Sequence, residues 1–179
     1  MKPMIRRASC EDLEELLAMQ RRSLRSFGEA HYSAALLEAA VAEMGTMDAR
    51  LILHGTYLVA ELDGRIVGSA GWTMRAPSYT RLLRDRLEPL DGTCGMVRGI
   101  YVDPAAARQG VARRLLGAVE AELRDVGAEV ADLLAALSCA PFYAAAGYAR
   151  LSDHVLLFGG CLEFPVQRMC RRLRAAAPG

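Results

Sequence analysis

The sequence lacks the features that would indicate a metal site, a disulfide framework or a membrane segment. Its five cysteines form no CxxC pair and its three histidines are scattered, so we expect no metal and no disulfides. The basic N-terminus has no apolar segment of the signal-peptide type. The longest uncharged stretch, 133–149, is about the shortest that could cross a bilayer, and it contains Pro141 and Gly147. We therefore expect a cytoplasmic protein with no membrane partner.

The sequence also has little net charge. It carries 22 Lys and Arg against 21 Asp and Glu, which gives a formal net charge of +1. No basic excess exists that would hold the chain on nucleic acid, so a polyphosphate ligand must be bound by a local arrangement of residues. With 179 residues the chain fits one globular domain, 1–179, and has little room for a second.

The patterning predicts strands and helices in mixed order. Asp63-Gly64 lies between two apolar runs and predicts a hairpin with a type I′ turn. Ser9 and Asp12 form a capping box that predicts a helix through Leu24. The other predicted elements are strands at 4–8, 96–102 and 129–134, a strand pair within 148–172 that turns near 159–160, and helices from Ser33 to Met44, after Gly110 and at 140–146. This order is typical of an α/β (α+β) domain, and its long polar connection, 75–91, is of the kind that often carries function.

The chemically most informative segment lies where the strand at 96–102 leads into a helix. Asp103-Pro104 begins the connection and Gly110 precedes the helix, whose first turn carries Arg113 and Arg114 but no acidic residue. Helix dipoles favour negative charge at this end, so the free N–H groups there suit an anion such as a pyrophosphate. Neither a GxGxxG fingerprint nor a Walker lysine is present, which argues against a nucleotide-binding protein. A solvated helix with an incidental glycine is the alternative.

This segment resembles the acetyl-CoA-binding motif of the GNAT (GCN5-related N-acetyltransferase) superfamily. The motif is Gln or Arg, two residues, Gly, one residue, then Gly or Ala. Gly110 and Ala112 match it, whereas its first position falls on Ala107. The resemblance implies that backbone amides of 109–112 hold the pyrophosphate. The implied cofactor-binding residues in this segment are Arg108, Gln109, Gly110, Val111, Ala112 and Arg113.

A second stretch, 138–148, resembles a later motif of the same family, an Asn followed by a Phe-Tyr pair and then Gly-Phe or Gly-Tyr. Ser138 replaces the Asn, and its hydroxyl can still bond to the CoA. Tyr143 is intact, and the resemblance implies that it is the general acid for the departing thiolate. A phenol with an ordinary pKa of about 10 is protonated at neutral pH and can serve. The alternative is that Tyr143 packs as a core aromatic beside Phe142.

Together the two motifs imply a fold and a function. The implied fold is a single GNAT-type domain with a central mixed, mostly antiparallel twisted sheet, flanked by helices, in which a splayed strand pair binds acyl-CoA. The implied function is transfer of an acetyl group from acetyl-CoA to a primary amine of a small molecule, or of a peptide N-terminus or lysine. Backbone N–H groups of Ile100, Tyr101 and Val102 would hold the thioester carbonyl. A homodimer is a further expectation, because dimers are common among such enzymes.

Four residues are candidates for the acceptor site. Arg98 is the one charge inside an apolar strand, and it pairs either with a substrate carboxylate or internally with Asp91 or Glu61. Trp72 and Tyr79 are aromatic candidates for the lining of the same pocket, although an aromatic near a strand end is also explained by packing. Tyr32 is a further candidate for this lining.

The general base is not evident from the sequence. The strand 96–102 lacks the Glu that many relatives carry there, which leaves Glu29, His31, Tyr32 and Asp91 as candidates. The departures at Ala107 and Ser138 and the missing Glu favour a competing hypothesis, a non-catalytic acyl-CoA sensor or interaction module of the same fold.

Overall fold

A seven-stranded sheet organises the chain. The computed structural model describes residues 2–43 and 49–173. The strands are β1 (Met4–Arg7), β2 (Tyr57–Leu62), β3 (Arg65–Thr73), β4 (Cys94–Val102), β5 (Val130–Ala136), β6 (Ala149–Phe158) and β7 (Leu162–Arg172). The helices are α1 (Leu13–Gly28), α2 (Ala34–Glu43), α3 (Ala49–Leu53), α4 (Val111–Asp125) and α5 (Ala140–Ala145).

The strand order is β1-β2-β3-β4-β5-β7-β6, and β4–β5 is the parallel pair in an otherwise antiparallel sheet. That pair is short. Cys94, Gly95 and Met96 of β4 pair with residues 130–132 of β5, after which β5 continues beside β7 while β4 continues beside β3. The predicted mostly antiparallel sheet with a splayed strand pair is confirmed.

Local signals in the sequence account for most of the elements. Asp63 and Gly64 have φ angles of 51° and 73°, as the predicted type I′ turn between β2 and β3 requires. The carboxylate of Asp12 accepts the backbone N–H of Ser9 at 2.7 Å, and α1 follows directly. β6 and β7 form the predicted terminal pair, which turns at 159–161.

The two faces of the sheet are covered by different elements. α4 packs on one face through buried residues at helical spacing, Leu115, Val119 and Leu123. α1, α2 and the connection between β3 and β4 cover the other face. Tyr79 lies in that connection, within a short 3₁₀ turn (Ser78–Leu82), and Leu83 forms a bridge to Leu156 of β6. The long polar connection is therefore part of the packed structure.

Some boundaries differ from the prediction. The second helix is α2, Ala34–Glu43, and its predicted end at Met44 lies outside the described residues. α3 was not predicted, because five residues are too few to show a helical period, although Leu51 and Ile52 are buried. Within 2–43 and 49–173 no helix is long and apolar enough to cross a membrane.

Candidate active site

A bulge in β4 lies at the point where β4 and β5 have separated. The β3–β4 register shifts between Ser69 and Gly71, where one residue of β3 faces two of β4, Gly99 and Ile100. Gly99 has a φ of 54°, and a Cβ there would lie 2.8 Å from the hydroxyl oxygen of Tyr57. Both the left-handed backbone and the close approach require glycine at this position.

A buried hydrogen-bond network supports this bulge. The Tyr57 hydroxyl donates to the backbone oxygen of Gly99 at 3.2 Å. Gln20 of α1 donates from Nε2 to the Tyr57 hydroxyl at 2.7 Å and to Ser69 Oγ at 3.2 Å. Burial raises the pKa of Tyr57 to about 12. Sequence reasoning missed these residues, although a glutamine on the buried face of an amphipathic helix was a signal for them.

The backbone amides of β4 point alternately to the two sides of the strand. Asp103 donates its N–H to Val67 of β3 at 2.9 Å, whereas Val102 donates its N–H to Ser23 Oγ of α1 at 3.2 Å. Alternation along the strand then directs the Ile100 N–H toward the open side where β4 and β5 diverge. Of the three amides predicted to hold the thioester carbonyl, that of Val102 is used within the fold.

The connection from β4 to α4 has the backbone expected of an anion-binding loop. Arg108 and Gly110 have φ angles of 62° and 79°. The first helical bond of α4 runs from Arg114 N–H to Gly110 O, at 3.1 Å. Within the part of the chain that the structure describes, the N–H groups of 111–113 have no acceptor, no side chain caps the helix, and its first turn holds no acid. These free amides and the helix dipole suit a pyrophosphate.

Side chains around this loop match the same ligand. Arg108, Gln109 and Arg113 are exposed, and none of them forms an ion pair with another described residue. Asp103, the acid at the start of this connection, is bonded to Arg22 at 2.6 Å and to the Ala105 N–H at 3.0 Å. The loop therefore presents positive charge that is not neutralised by its own residues.

Tyr143 lies on α5 with 8% of its surface exposed. Its ring packs edge-on against Phe142, at 5.1 Å between centroids, and against Tyr148, at 5.6 Å. Its hydroxyl has no hydrogen-bond partner within 2–43 and 49–173, and it is not among the partnerless polar atoms that are sealed from solvent. Tyr143 thus packs in the core with its ring, as one alternative predicted, while its hydroxyl is not sealed from solvent.

Besides Tyr148, two further phenols lie near Tyr143, and we call Tyr79, Tyr101 and Tyr143 the phenol cluster. Burial raises the pKa of Tyr143 well above its ordinary value, and the nearby Cys139, Tyr148, Tyr79 and Tyr101 raise it further. The hydroxyls of Tyr79 and Tyr101 also lack partners among the described residues and are not sealed. The phenol cluster therefore combines largely buried rings with hydroxyls that form no hydrogen bond to a described residue.

Arg98 lies beside the phenol cluster on β4. Its guanidinium carbon is 4.6 Å from the centre of the Tyr79 ring. It forms no ion pair with any described residue, because Glu61 bonds Arg6 at 2.9 Å and Asp91 is exposed without a bond to Arg98. The internal salt bridge that the sequence offered as an alternative is therefore not observed.

Tyr32 and Trp72, two other candidates for the acceptor site, form hydrogen bonds within the fold. Tyr32 donates its O–H to Pro165 O at 2.8 Å and accepts the Leu137 N–H at 2.7 Å, and burial raises its pKa to about 12. Trp72 donates its ring N–H to Glu122 of α4 at 2.6 Å. Trp72 packs in the core on the α4 face, whereas Tyr79, stacked on Arg98, packs on the opposite face. The structure does not bring Trp72 and Arg98 together.

Ser138 lies in the turn that follows β5. It is half-buried, and its Oγ is 3.8 Å from Cys139 Sγ. Next to it, Leu137 lines a cavity of about 420 Å³ on the face opposite α4, together with His154 and Gln167. The Nδ1 of His154 is buried without a partner, a feature that sequence reasoning did not single out.

No general base is evident among the phenols. Glu29 and His31 are exposed in the turn between α1 and α2, and Asp91 is exposed ahead of β4. The one carboxylate that perturbs a pKa in the phenol cluster is Asp132, which is bonded to Arg168 at 2.7 Å. Within the described residues, no group of three or more His, Cys, Asp or Glu side chains could hold a metal ion.

Comparison with known proteins places this chain in a family. Residues 13–148 match the model of the acetyltransferase (GNAT) family, and the chain belongs to that family. No match was found among curated proteins.

Solved structures of the same fold are similar over nearly the whole chain. A GCN5-related N-acetyltransferase from Rhodopseudomonas palustris has 24% identity and a TM-score of 0.73, with 97% of each chain covered. The PaiA N-acetyltransferase from Thermoplasma acidophilum, in complex with coenzyme A, has 17% identity and a TM-score of 0.70, covering 96% of this chain and 99% of that one. N-acetylglutamate synthase from Neisseria gonorrhoeae has 19% identity and a TM-score of 0.61, covering 97% of this chain and 36% of its own.

Proposed function

We propose that the protein transfers an acetyl group from acetyl-CoA to the primary amine of a small molecule by direct attack in a ternary complex. The observation that carries this proposal is the coincidence of a free anion-binding helix end, a bulged and splayed strand, and a buried phenol with an unbonded hydroxyl. The helix end would bind the pyrophosphate of acetyl-CoA, the strand its acyl oxygen and the phenol its sulfur.

The anion-binding end is the start of α4. The free N–H groups of 111–113 and the exposed Arg108 and Arg113 would hold the pyrophosphate, because fixed amides and the helix dipole stabilise negative charge. Ser138, in the turn after β5, would bond to the extended arm of the CoA. Acetyl-CoA supplies the activated acyl group.

The acyl group would lie where β4 and β5 diverge. The Ile100 N–H is directed to this side of β4, and it would donate to the acyl oxygen as negative charge develops there. The bulge at Gly99, fixed by Tyr57, would set the direction of that amide.

Tyr143 would donate its proton to the sulfur as the carbon–sulfur bond breaks and the amine nitrogen bonds to the carbonyl carbon. Its phenolate then regains a proton from water, and the new ammonium loses one to water. Burial keeps the phenol of Tyr143 in its protonated form, which is the form that can donate. Since no unpaired carboxylate acts on the phenol cluster, we infer that the amine reaches the site already neutral or loses its proton through water.

The test combines calorimetric titration of acetyl-CoA with release of free thiol in the presence of a panel of amines. Gly110→Glu should abolish binding, because it places a carboxylate where the pyrophosphate is held and strains a residue with φ of 79°. Gly117→Glu is the matched control: it adds the same charge to α4 at an open position without positive φ, and it should bind normally. Tyr143→Phe should bind acetyl-CoA like the wild type and lose about 100-fold or more in kcat.

Three outcomes separate the hypotheses. Binding with turnover that depends on Tyr143 supports the enzyme. Tight binding with no turnover on any amine supports the sensor of the same fold, which the departures at Ala107 and Ser138 favour. No binding of acetyl-CoA by the wild type contradicts both.

A further inference from the structure

Arg98 has no counter-ion among the residues that the structure describes. It is half-buried on β4, and its guanidinium carbon lies 4.6 Å from the centre of the Tyr79 ring. None of its five N–H donors forms a hydrogen bond with a described residue, and none of its nitrogens is sealed from solvent. An arginine removed from bulk water is normally paired or hydrogen-bonded, because desolvating an unpaired charge is costly.

The acid on the same face of the sheet does not supply that partner. Asp132 of β5 is bonded by Nε and Nη2 of Arg168 on β7, and both residues are buried. Among these three residues there are two positive charges and one negative charge, and because Asp132 is paired with Arg168, Arg98 is left without a negative partner. One monoanion would neutralise it.

We propose that Arg98 binds a carboxylate of the acceptor, so that the acceptors are amines which carry a carboxylate, the chemical class of the amino acids. This inference rests on the proposed function, since it names the acceptor of that same site. The guanidinium carbon lies 4.6 Å from the centre of the Tyr79 ring, and the N–H groups at the edge of a guanidinium are free to bind a ligand beside such a ring. That edge presents two parallel N–H groups, which match the two oxygens of a carboxylate.

The position of Arg98 agrees with this role. It precedes Ile100 by two residues on β4, directly before the bulge that Gly99 and Ile100 form. An acceptor whose carboxylate is held by Arg98 would therefore have its amine close to the carbonyl carbon beside the Ile100 N–H. A monoanionic carboxylate also fits one unpaired guanidinium better than a phosphate dianion, which would leave one negative charge unpaired on this face.

The experiment compares amines that differ only in that charge. Thiol release from acetyl-CoA is measured with the common amino acids, β-alanine and γ-aminobutyrate, each beside its own carboxamide. The enzymes are the wild type, Arg98→Met, Arg98→Lys and Arg86→Met, an exposed arginine in the connection before β4. The acid-to-amide ratio of kcat/KM, compared between enzymes, cancels the difference in amine pKa within each pair.

We expect the wild type to use at least one acid better than its amide, and Arg98→Met to lower kcat/KM for that acid by about 100-fold, the loss typical of a charged hydrogen-bonded pair. The same variant should leave the amide and the affinity for acetyl-CoA unchanged, which also shows that it folds. Arg98→Lys should recover part of the loss, and Arg86→Met should behave like the wild type.

A second measurement does not depend on turnover. Binding of the N-acetyl derivative of the best acid, and of its amide, is followed by calorimetry in the presence of CoA. Arg98-dependent binding of the acid without thiol release from any amine would overturn the proposed function and support the Arg98 site. Thiol release that is equal for acids and amides, or equally reduced for both by Arg98→Met, would overturn this inference and leave the proposed function standing. Efficient use of amidated peptides, unaffected by Arg98→Met, would overturn it as well.

Discussion

Two clusters of polar groups on the sheet differ in how completely they are bonded. In the first, the buried carboxylate of Glu120 on α4 accepts the Tyr148 hydroxyl at 3.0 Å and Arg171 at 3.2 Å, with Arg124 at 3.4 Å. We call these four residues the Glu120 cluster. In the phenol cluster burial raises the pKa values of the tyrosines, yet their hydroxyls form no hydrogen bond with any residue that the structure describes. Buried polar groups are normally hydrogen-bonded within the protein, as they are in the Glu120 cluster.

The same contrast separates two arginines on the face opposite α4. Arg168 is 6% exposed and is bonded to Asp132 and to the backbone oxygen of Glu88. Arg98 is half-buried, and within 2–43 and 49–173 it forms no hydrogen bond or ion pair, although it lies over the Tyr79 ring. The bonded pair holds β5, β7 and the connection before β4 together, whereas we assign the ligand to the groups that have no partner among the described residues.

The largest expected effect is a difference in stability between two single variants, in which each arginine in turn is replaced by methionine. Arg168→Met leaves the Asp132 carboxylate buried without its partner, and we expect it to lower the free energy of unfolding by about 3–5 kcal/mol. Arg98→Met removes no ion pair and should cost less than about 1 kcal/mol, the size of a cation–π contact. Urea unfolding followed by circular dichroism measures both.

A double variant checks the reason for that difference. Asp132→Leu in the Arg168→Met background removes the unpaired charge and should restore more than half of the lost stability. Equal losses at Arg98 and Arg168, or a double variant less stable than Arg168→Met, would contradict the distinction between the two arginines.

A smaller effect is expected at Tyr148, the tyrosine of the Glu120 cluster. Tyr148→Phe removes one hydrogen bond to a buried carboxylate that keeps Arg171, and should lower the free energy of unfolding by about 1.5 kcal/mol. Thiol release per folded molecule should stay within about twofold of the wild type. Tyr143→Phe should show the reverse, a large loss of turnover at nearly unchanged stability, since its hydroxyl has no bond to lose. If both variants lose activity alike, the ring contact between the two tyrosines, rather than the Tyr143 proton, controls the reaction.

The sequence predicted the sheet, the hairpin and the loop before α4 because their determinants are local. Asp63-Gly64 fixes a turn by its own backbone preferences, and the absence of acids after Gly110 can be read directly. The positions of Tyr143 and Ser138 after β5 followed from the family resemblance. The roles of these residues stay predictions, because the structure gives their surroundings and not a reaction.

Contacts between distant segments could not be predicted in this way. Gln20, Tyr57 and Gly99 meet only when α1, β2 and β4 are packed together, and single-sequence patterns carry no register between them. Trp72 was expected in the acceptor pocket together with Arg98. In the sheet Trp72 pairs with Val97, the residue before Arg98, and successive residues of a strand point to opposite faces. Whether Arg98 has an internal ion pair could not be predicted either, because it depends on a contact between β1 and β2, in which Glu61 is bonded to Arg6.

The smallest expected effect is the absence of a change at high pH. Tyr143 acts in its protonated form, and burial raises its pKa well above the ordinary value of about 10, so it stays a proton donor as the pH rises. With an acceptor amine whose own pKa is about 8, kcat/KM should rise with a slope of one while the amine loses its proton, and then stay level up to about pH 10. An accessible phenol of ordinary pKa would begin to lose activity below that value. A descending limb with a midpoint below pH 9 that persists in Tyr143→Phe would assign the proton to a group other than Tyr143.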